Sequence, residues 1–336
     1  MSAQWSSANG APVARGRLRS NPEDFQVSEE LGFELSGEGE HAFLQLQKRE
    51  LNTVDLVQRL SRLSGVGQRD IGYSGLKDRN AVTDQWLSVG LAGRPEPDWS
   101  ELEQDSNIRV LQVQRHRRKL KRGVHSANRF KLMLRELEGK QAAIEERLQN
   151  IREQGAPNYF GEQRFGRNGS TLSQGRAWAL GGGRSISRNK RSLYLSAIRS
   201  FLFNCLLARR VVDGDWNRIR QGDTCMLQGS RSLFTCEELT QELQQRAQEG
   251  DLHPGLPLWG RGALEACPQA RDVLGEHKDI YRFLEEAGLD LSWRSARLLA
   301  DDFSWQFCDD CTLQLDFALG AGSYATALLA EFVQTK

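Results

Sequence analysis

Alternating apolar and polar positions predict a series of strands in the first half of the chain. The predicted strands cover residues 25–30, 41–47, 83–89, 108–114 and 129–134. In the last of these, Phe130, Leu132 and Leu134 share one face, as alternate strand positions must. The glycine-rich segment 37–40 is interpreted as the turn between the first two strands.

Apolar residues at helical spacing predict helices between and after these strands. One helix begins after Asn52 or Thr53, either of which can cap it, and ends near Gly65. Its buried face is formed by Leu56, Val57, Leu60 and Leu63. The same spacing recurs over 143–151 and predicts a second helix.

The second half of the chain has a different pattern. A glycine-rich and basic segment from Asn158 leads to a long predicted helix over 192–211. An acidic region of helices and loops follows, and alternation returns over 303–317. A final helix is predicted over 323–333, after two glycines.

This order predicts an α+β protein interrupted by an inserted, mostly helical α/β domain. Residues 1–15 are interpreted as a flexible tail. The insertion is expected to be roughly 140 residues long, with its two ends close together in space. A chain of 336 residues is long enough for two such cores.

The net charge of +1 conceals an uneven distribution of charge. The windows 106–135 and 163–212 each hold ten basic side chains and no acidic one, whereas the remaining positions sum to −19. Sixteen of those twenty basic residues are arginines, which bind phosphates with a planar fork and stack on bases. Solvated charged faces are the alternative, but two long acid-free windows favour RNA or DNA as the partner.

Several classes of protein are disfavoured. No apolar run approaches the roughly 20 residues that a membrane span needs, and the polar start lacks the order of a signal peptide. The six cysteines then indicate reduced thiols, and we expect a cytoplasmic protein.

Metal and nucleotide motifs are incomplete. Cys308 and Cys311 form one Cys-x-x-Cys pair without further ligands, which favours a hairpin turn flanked by thiols. The five histidines lack metal-ligand spacing, and the three glycines at 181–183 are not followed by the Lys-Ser/Thr of a phosphate loop. An enzyme with this sequence is expected to use no metal and no cofactor.

The segment 73–86 is the clearest candidate for chemistry. It places Asp78 between Lys77 and Arg79, after a glycine turn and before a strand. Loops held by rigid elements often carry catalytic residues, and nearby cations favour an ionised carboxylate. An aspartate that caps a turn in a surface charge cluster fits the spacing equally well.

The stretch 75–86, GLKDRNAVTDQW, resembles the catalytic motif of the TruD family of tRNA pseudouridine synthases. Further stretches that are similar to this family lie at 19–27, at 117–120 followed by 128–130, at 157–166 and at 321–326. Together they extend over nearly the whole chain in the family's order.

The resemblance implies a pseudouridine synthase fold, with a mixed, mainly antiparallel sheet and flanking helices. It implies a catalytic domain that combines 16–155 with 300–336 and an inserted TRUD domain that occupies 156–299. It implies conversion of the uridine at position 13 of tRNA, in the D-arm region, without a cofactor. Asp78 would be the essential catalytic residue. The candidate substrate-binding residues are Phe25, Asn128, Phe130, Tyr324, Arg19, Lys77 and Arg79. The candidate contacts to the RNA backbone are Arg117, Arg118, Lys119, Arg164, Arg188 and Arg191.

The chemistry fits these residue types but leaves one choice open. Asp78 can attack C1' of the ribose as a nucleophile or take the C2' proton as a base. A rival hypothesis is an RNA-binding protein of the same fold without turnover. A hydrolase is a weaker rival, because no second carboxylate accompanies Asp78. The expected partner is tRNA, bound by a monomer, with no membrane and no metal.

Overall fold

The fold is described from a computed structural model that covers residues 5–230 and 232–335. In chain order its strands and helices are β1 (Ala14–Leu18), β2 (Phe25–Leu31), β3 (His41–Arg49), α1 (Thr53–Ser64), β4 (Ile71–Tyr73), β5 (Val82–Gly90), β6 (Ile108–His116), β7 (His125–Gly139), α2 (Gln141–Gln154), β8 (Ala156–Pro157), α3 (Ser170–Leu180), α4 (Arg188–Val212), β9 (Thr224–Leu227), β10 (Leu233–Thr235), α5 (Gln241–Gln248), β11 (Leu252–Leu258), α6 (Ala263–Ala266), α7 (Ala270–Val273), α8 (Lys278–Glu286), β12 (Ser292–Ser295), β13 (Arg297–Leu298), β14 (Asp301–Asp309), β15 (Thr312–Gly320), α9 (Ala325–Leu329) and β16 (Val333–Thr335).

These elements form two units. Among the described residues, the sheet unit contains 14–139, 300–322 and 334–335, and the helical unit contains 5–13, 140–299 and 323–333. The boundary after β7 therefore falls at 139/140, whereas the sequence predicted an insertion beginning at 156. Helix α2 and the segment 323–333 belong to the helical unit.

The sheet unit is built on a mixed sheet. Its main strands run in the order β14-β15-β7-β2-β5-β3-β6, with β4 beside β5 and β1 beside β7. Strands β2 and β5 are parallel, and the other pairs of this path are antiparallel. The register places Val27 opposite Phe130 and Glu29 opposite Asn128, so these side chains share one face at the centre of the sheet.

Helix α1 covers the β3–β5 part of this sheet with its apolar face. Leu56, Val57 and Leu60 are buried there against residues of β3 and β5 such as Leu44 and Leu87. The helix begins with a capping box, in which the Asn52 and Asp55 side chains satisfy each other's backbone donors. It ends at a left-handed glycine, as the sequence predicts.

The helical unit contains a second hydrophobic core. The 25-residue helix α4 runs through it and buries residues on several sides, among them Ile198, Leu202 and Phe203. A small sheet in the order β10-β9-β11-β12 forms another part of the unit. The predicted helix over 192–211 is confirmed and is one turn longer at its start, where Ser187 caps it.

Most predicted strands and helices are confirmed, and two details are wrong. Strand β7 spans 15 residues, well beyond the predicted 129–134, because its flanking residues also pair with neighbouring strands, as Asn128 does with Glu29 of β2 and Glu138 with Arg15 of β1. The final helix is only Ala325–Leu329, and the chain then enters β16. Apolar spacing alone does not distinguish a buried helix from a buried strand in so short a run.

The first described residues of the chain form specific hydrogen bonds. The buried Glu331 carboxylate accepts hydrogen bonds from the Ser7 hydroxyl at 2.7 Å and the Ala8 amide at 3.0 Å. Burial raises the pKa of Glu331, and the hydrogen bonds from Ser7 and Asn9 oppose this rise. Residues 5–9 therefore differ from the predicted loose tail, whose residues 1–4 lie outside the described part of the chain.

The hairpin interpretation of the Cys-x-x-Cys pair is confirmed, because Cys308 is the second-last residue of β14, Cys311 lies in the turn before β15, and the two strands are antiparallel. Within residues 5–230 and 232–335, no group of three His, Cys, Asp or Glu side chains is placed to hold a metal ion. No helix in the same part of the chain has the length and apolar character needed to cross a bilayer.

Candidate active site

The loop between β4 and β5 carries Asp78, and buried polar side chains fix its backbone. The fully buried Gln85 donates from Nε2 to the carbonyl of Gly75 at 2.6 Å. The Lys77 amide donates to Thr53 Oγ1 at 3.0 Å, and the Thr53 hydroxyl in turn donates to Gln85 Oε1 at 2.9 Å. Helix α1 and strand β5 therefore hold the loop before Asp78 from both sides.

Lys48 holds the same loop at Asp78 itself. Its side chain is fully buried, and Nζ donates to the carbonyl of Asp78 at 2.8 Å and to that of Leu51 at 2.7 Å. Burial lowers the pKa of Lys48 to about 8, while the Asp78 carboxylate acts in the opposite direction. A lysine at this depth is satisfied by these carbonyls, as buried polar groups require.

The Asp78 carboxylate is half exposed and has a cationic partner. Oδ2 lies 2.8 Å from Nη2 of Arg19, the residue that directly follows β1. The Arg19 guanidinium also lies over the ring of Phe25, 3.9 Å from its centroid. Arg19 thus connects the carboxylate to an aromatic side chain of the sheet.

The expected cations beside Asp78 have other partners. Lys77 lies 2.9 Å from the buried Glu29 carboxylate, and the exposed Arg79 donates from Nε to the carbonyl of Glu50 at 3.2 Å. Neighbours in an extended segment point in different directions, which explains this separation. The cation on the Asp78 carboxylate comes from distant Arg19 instead.

An aromatic cluster lies on the sheet near Arg19. Phe25 meets Phe130 edge to face at 6.2 Å between centroids, and Phe130 stacks on Phe317 at 5.4 Å. Phe25 and Phe130 are buried, with 5% and 8% of their surfaces exposed. Such offset pairs are favourable and hold the rings in fixed orientations.

Asn128 lies beside this cluster in a buried polar network. It is opposite Glu29 in the register, and its Oδ1 accepts a hydrogen bond from Lys77 Nζ. The second oxygen of Glu29 accepts the backbone amide of Trp86 at 3.0 Å. Asp78, Arg19, Phe25, Lys77, Asn128 and Phe130 therefore all belong to the sheet unit, close to the loop or to the centre of the sheet.

Tyr324 and Arg164 lie in the helical unit, where they contact each other. Arg164 donates to the Tyr324 hydroxyl from Nε at 3.1 Å and to Ser196 Oγ from Nη1 at 3.1 Å. The Tyr324 ring meets Phe160 edge to face at 6.0 Å. The tyrosine hydroxyl thus acts as an acceptor for a residue of the basic window.

The basic windows are less positive than their sequence suggests, because acids from elsewhere in the chain pair with them. Arg117 pairs with Glu38, and Arg115 with Glu96. Further pairs bring carboxylates to Arg129, Arg135, Arg209 and Arg210. Of the candidate RNA contacts, Arg118 and Arg188 are exposed, Lys119 donates to the Arg69 carbonyl and Arg191 to that of Ala287.

Sequence reasoning missed Glu29, Lys48 and His125 as parts of the site. The signal for the first two was present, because each continues the apolar face of an alternating strand. Glu29 follows Phe25 and Val27, and Lys48 continues the buried alternation of β3. A charged residue at such a position must have a buried partner, which indicates a network.

The chain matches the family model for tRNA pseudouridine synthase D (TruD) over residues 7–177 and 177–332. A protein named tRNA pseudouridine synthase D from Methylococcus capsulatus is 47% identical over 331 residues, covering 97% of this chain and 93% of its own. One of the same name from Nitrosococcus oceani is 46% identical, covering 97% and 92%.

A solved structure from Methanosarcina mazei, assigned as a tRNA pseudouridine synthase D, superposes with a TM-score of 0.75. It is 22% identical and covers 97% of this chain and 95% of its own, so it shows a shared fold. The mixed sheet with its helical second unit is thus the pseudouridine synthase fold that the sequence predicted. On the strength of the family match and of relatives that extend over almost its whole length, the chain belongs to the TruD family of tRNA pseudouridine synthases.

Proposed function

We propose that this chain converts the uridine at position 13 of tRNA, in the D-arm region, to pseudouridine, with Asp78 as its essential catalytic residue. The observation that carries the proposal is the half-exposed Asp78 carboxylate, held at 2.8 Å by Arg19 on a loop of fixed backbone. The family match supports the activity, and the names of the relatives support tRNA as the substrate.

The reaction conserves all atoms. The bond between N1 of the base and C1' of the ribose breaks, the uracil turns, and C5 bonds to C1'. The proton on C5 leaves, and N1 regains one. Asp78 acts at the sugar, either as a nucleophile on C1' or as a base on the C2' proton. Both roles need a carboxylate anion, and Arg19 supplies the adjacent cation.

The other candidate residues hold the base and ribose while the bond is broken. Phe25, Phe130 and Tyr324 supply aromatic faces, and Asn128 supplies an amide for the base edge. Arg19, Lys77 and Arg79 provide positive charge near the reacting nucleotide. The target lies within folded RNA, so it must be extruded at a cost of about a few kcal/mol.

In this proposal, contacts with the RNA backbone supply the free energy that is needed to extrude the target nucleotide. They are assigned to Arg117, Arg118, Lys119, Arg164, Arg188 and Arg191. Along the sequence, we assign the segment 156–299 to the inserted TRUD domain and 16–155 with 300–336 to the catalytic domain. By packing, α2 and the segment 323–333 of the second set belong to the helical unit. The protein acts as a monomer on tRNA in the cytoplasm, and the reaction requires no cofactor.

The test is a purified assay that maps pseudouridine in transcribed tRNA. Asp78→Asn is expected to abolish product while tRNA affinity stays within a few-fold of the unmodified protein. Asp70→Asn, which changes another exposed carboxylate, is the control and should retain activity. Turnover by Asp78→Asn would remove Asp78 from its role, and RNA binding without turnover by the unmodified protein would favour a non-catalytic RNA-binding protein.

A further inference from the structure

Leu76 is an exposed apolar side chain in the loop that carries Asp78. Its surface is 64% exposed, although most leucines of the sheet unit are buried. Single apolar side chains on a protein surface are common and by themselves indicate no partner. What distinguishes Leu76 is its position, two residues before the candidate catalytic carboxylate, on a backbone that is fixed.

The backbone on both sides of Leu76 is held by hydrogen bonds. The carbonyl of Gly75 accepts from Gln85 Nε2 at 2.6 Å, and the amide of Lys77 donates to Thr53 Oγ1 at 3.0 Å. Both partners are buried side chains. The folded protein therefore presents this leucine to solvent on an anchored backbone, before any RNA is bound.

Leu76 and Asp78 lie on the same, solvent-facing side of the loop. The side chain between them, Lys77, pairs with the buried Glu29 and is only 9% exposed, whereas the Asp78 carboxylate is half exposed. Such alternation is expected where the chain is extended. Two residues span at most about 7 Å, so a nucleotide whose ribose lies at Asp78 brings its neighbours in the RNA within reach of Leu76.

The surface that adjoins this loop is basic. The turn before β7 is joined to it by the hydrogen bond from the Gly123 amide to the Ser74 carbonyl, at 2.8 Å. The loop and this turn carry three exposed cations, Arg79, Lys121 and Arg122. No carboxylate of the described residues lies within 4.0 Å of any of the three. An apolar side chain among unpaired cations fits a ligand that combines flat apolar faces with phosphates, as stacked RNA bases do.

Extrusion of a nucleotide leaves a gap between the two bases that flanked it. The lost stacking contributes to the cost of extrusion, which is about a few kcal/mol. Leucine is one of the apolar side chains that proteins insert between bases as a wedge. A leucine in the gap covers both exposed base faces and removes its own apolar surface from water, and both effects favour the extruded state.

We propose that Leu76 is the wedge that enters the base stack of the tRNA at the place that the target uridine leaves. This proposal rests on the proposed function, in which the ribose of that uridine lies at Asp78. Leu76 is a positioning residue here, because it touches the neighbouring bases and not the reacting atoms. It stabilises the extruded state and so raises the fraction of bound tRNA that can react.

The first experiment measures single-turnover formation of pseudouridine in transcribed tRNA at saturating protein. Leu76→Ala removes most of the wedge, and the rate is expected to fall on the order of tenfold, which corresponds to about 1.4 kcal/mol. Leu76→Met keeps an apolar side chain of similar volume and should retain most of the rate. Leu180→Ala is the matched control, because it makes the same change at a leucine of α3 that is 59% exposed, and it should leave the rate unchanged.

The second experiment observes extrusion itself. Pyrrolocytosine, a fluorescent pyrimidine that is quenched within a base stack, replaces the uridine at position 13 of the tRNA. Saturating unmodified protein is expected to increase its emission, and Leu76→Ala to increase it clearly less. Urea unfolding should give the same midpoint for both proteins, because an exposed side chain contributes little to stability. A merely structural role of Leu76 would shift that midpoint.

Three results would overturn the inference: an unchanged single-turnover rate in Leu76→Ala, an equal increase in emission with Leu76→Ala and the unmodified protein, or no increase with the unmodified protein. Absence of pseudouridine with the unmodified protein would contradict the proposed function instead. The fluorescence measurement does not depend on turnover, so the two failures are distinguishable.

Discussion

The ammonium of the buried Lys48 donates a 2.8 Å hydrogen bond to the backbone carbonyl of Asp78, so a side chain of β3 fixes the position of the candidate catalytic residue. Lys48→Met removes this bond and the one to Leu51. Each carbonyl left buried and unsatisfied costs about 1–3 kcal/mol. We expect lower stability in urea and a reduced kcat with KM nearly unchanged.

Lys131→Met is the matched control for this change, since Lys131 is exposed on β7. It should leave both the urea midpoint and the rate of pseudouridine formation near their original values. If Lys48→Met folds and reacts at the normal single-turnover rate, the loop does not depend on Lys48.

Arg19 combines a charge and a planar group, and two substitutions separate them. Arg19→Lys keeps a cation for Asp78 but loses the flat guanidinium over Phe25, so we expect a loss of activity within about tenfold. Arg19→Gln removes the charge and is expected to lower kcat much further. Arg17→Gln, which breaks an exposed pair with Glu136, should have little effect. Equal activity of Arg19→Lys and Arg19→Gln would show that the charge is unimportant.

Neighbouring arginines in the first basic window should contribute unequally to RNA binding. Arg117 is already paired with Glu38, whereas Arg118 has no carboxylate within 4.0 Å in the part of the chain that the structure describes. Arg118→Gln is expected to weaken tRNA binding and reduce the slope of log affinity against log salt by about 1. Arg117→Gln should reduce it less. The measurement is a salt titration of tRNA binding, and equal slopes for both variants would contradict the ranking.

The buried His253 of the helical unit predicts a loss of stability in acid. Burial lowers its pKa to about 4, and Nε2 lies 2.8 Å from Gln228 Oε1. Between that value and the ordinary 6.5, the unfolded chain binds more protons than the folded one. The free energy of unfolding should therefore fall as the pH decreases through this window, by up to about 3 kcal/mol from this group.

His253→Leu provides the comparison, because it removes the titrating ring. Urea unfolding of both proteins between pH 7 and pH 4 gives the contribution of His253 as a difference. The variant is expected to be less stable at pH 7 and to lose less stability in acid. A difference in unfolding free energy that is constant over this range would show that His253 does not titrate as inferred.

The sequence predicts most strands and helices correctly, but it does not predict which side chains contact each other. Local patterns predicted β2, β3 and α1 because alternation, helical spacing and caps are encoded by neighbouring residues. In the sequence the cations next to Asp78 are Lys77 and Arg79, whereas in the structure the cation on its carboxylate is Arg19, 59 positions earlier. Such a contact depends on which strands become neighbours, which local pattern does not specify.

Because local pattern does not specify long-range contacts, it also predicts the charge of a surface and the boundaries of a domain incompletely. Acid-free windows in sequence proved to be partly neutralised by distant acids, as in the pair of Arg135 with the buried Asp24. The sequence pattern changes at Asn158, but α2, which precedes this change, belongs to the helical unit. Composition reports where surface chemistry changes, and packing determines which segments belong together.

The anchored loop before Asp78 has a consequence for how binding energy is used. Gln85, Thr53 and Lys48 order this loop when the sheet folds. The entropy of ordering it is then already lost in the free protein, and association with RNA does not have to supply it. More of the energy of the phosphate contacts remains to unstack and extrude the target base. With a rigid catalytic loop of this kind, the conformational entropy of the loop is lost once, when the protein folds, and not again in each round of catalysis.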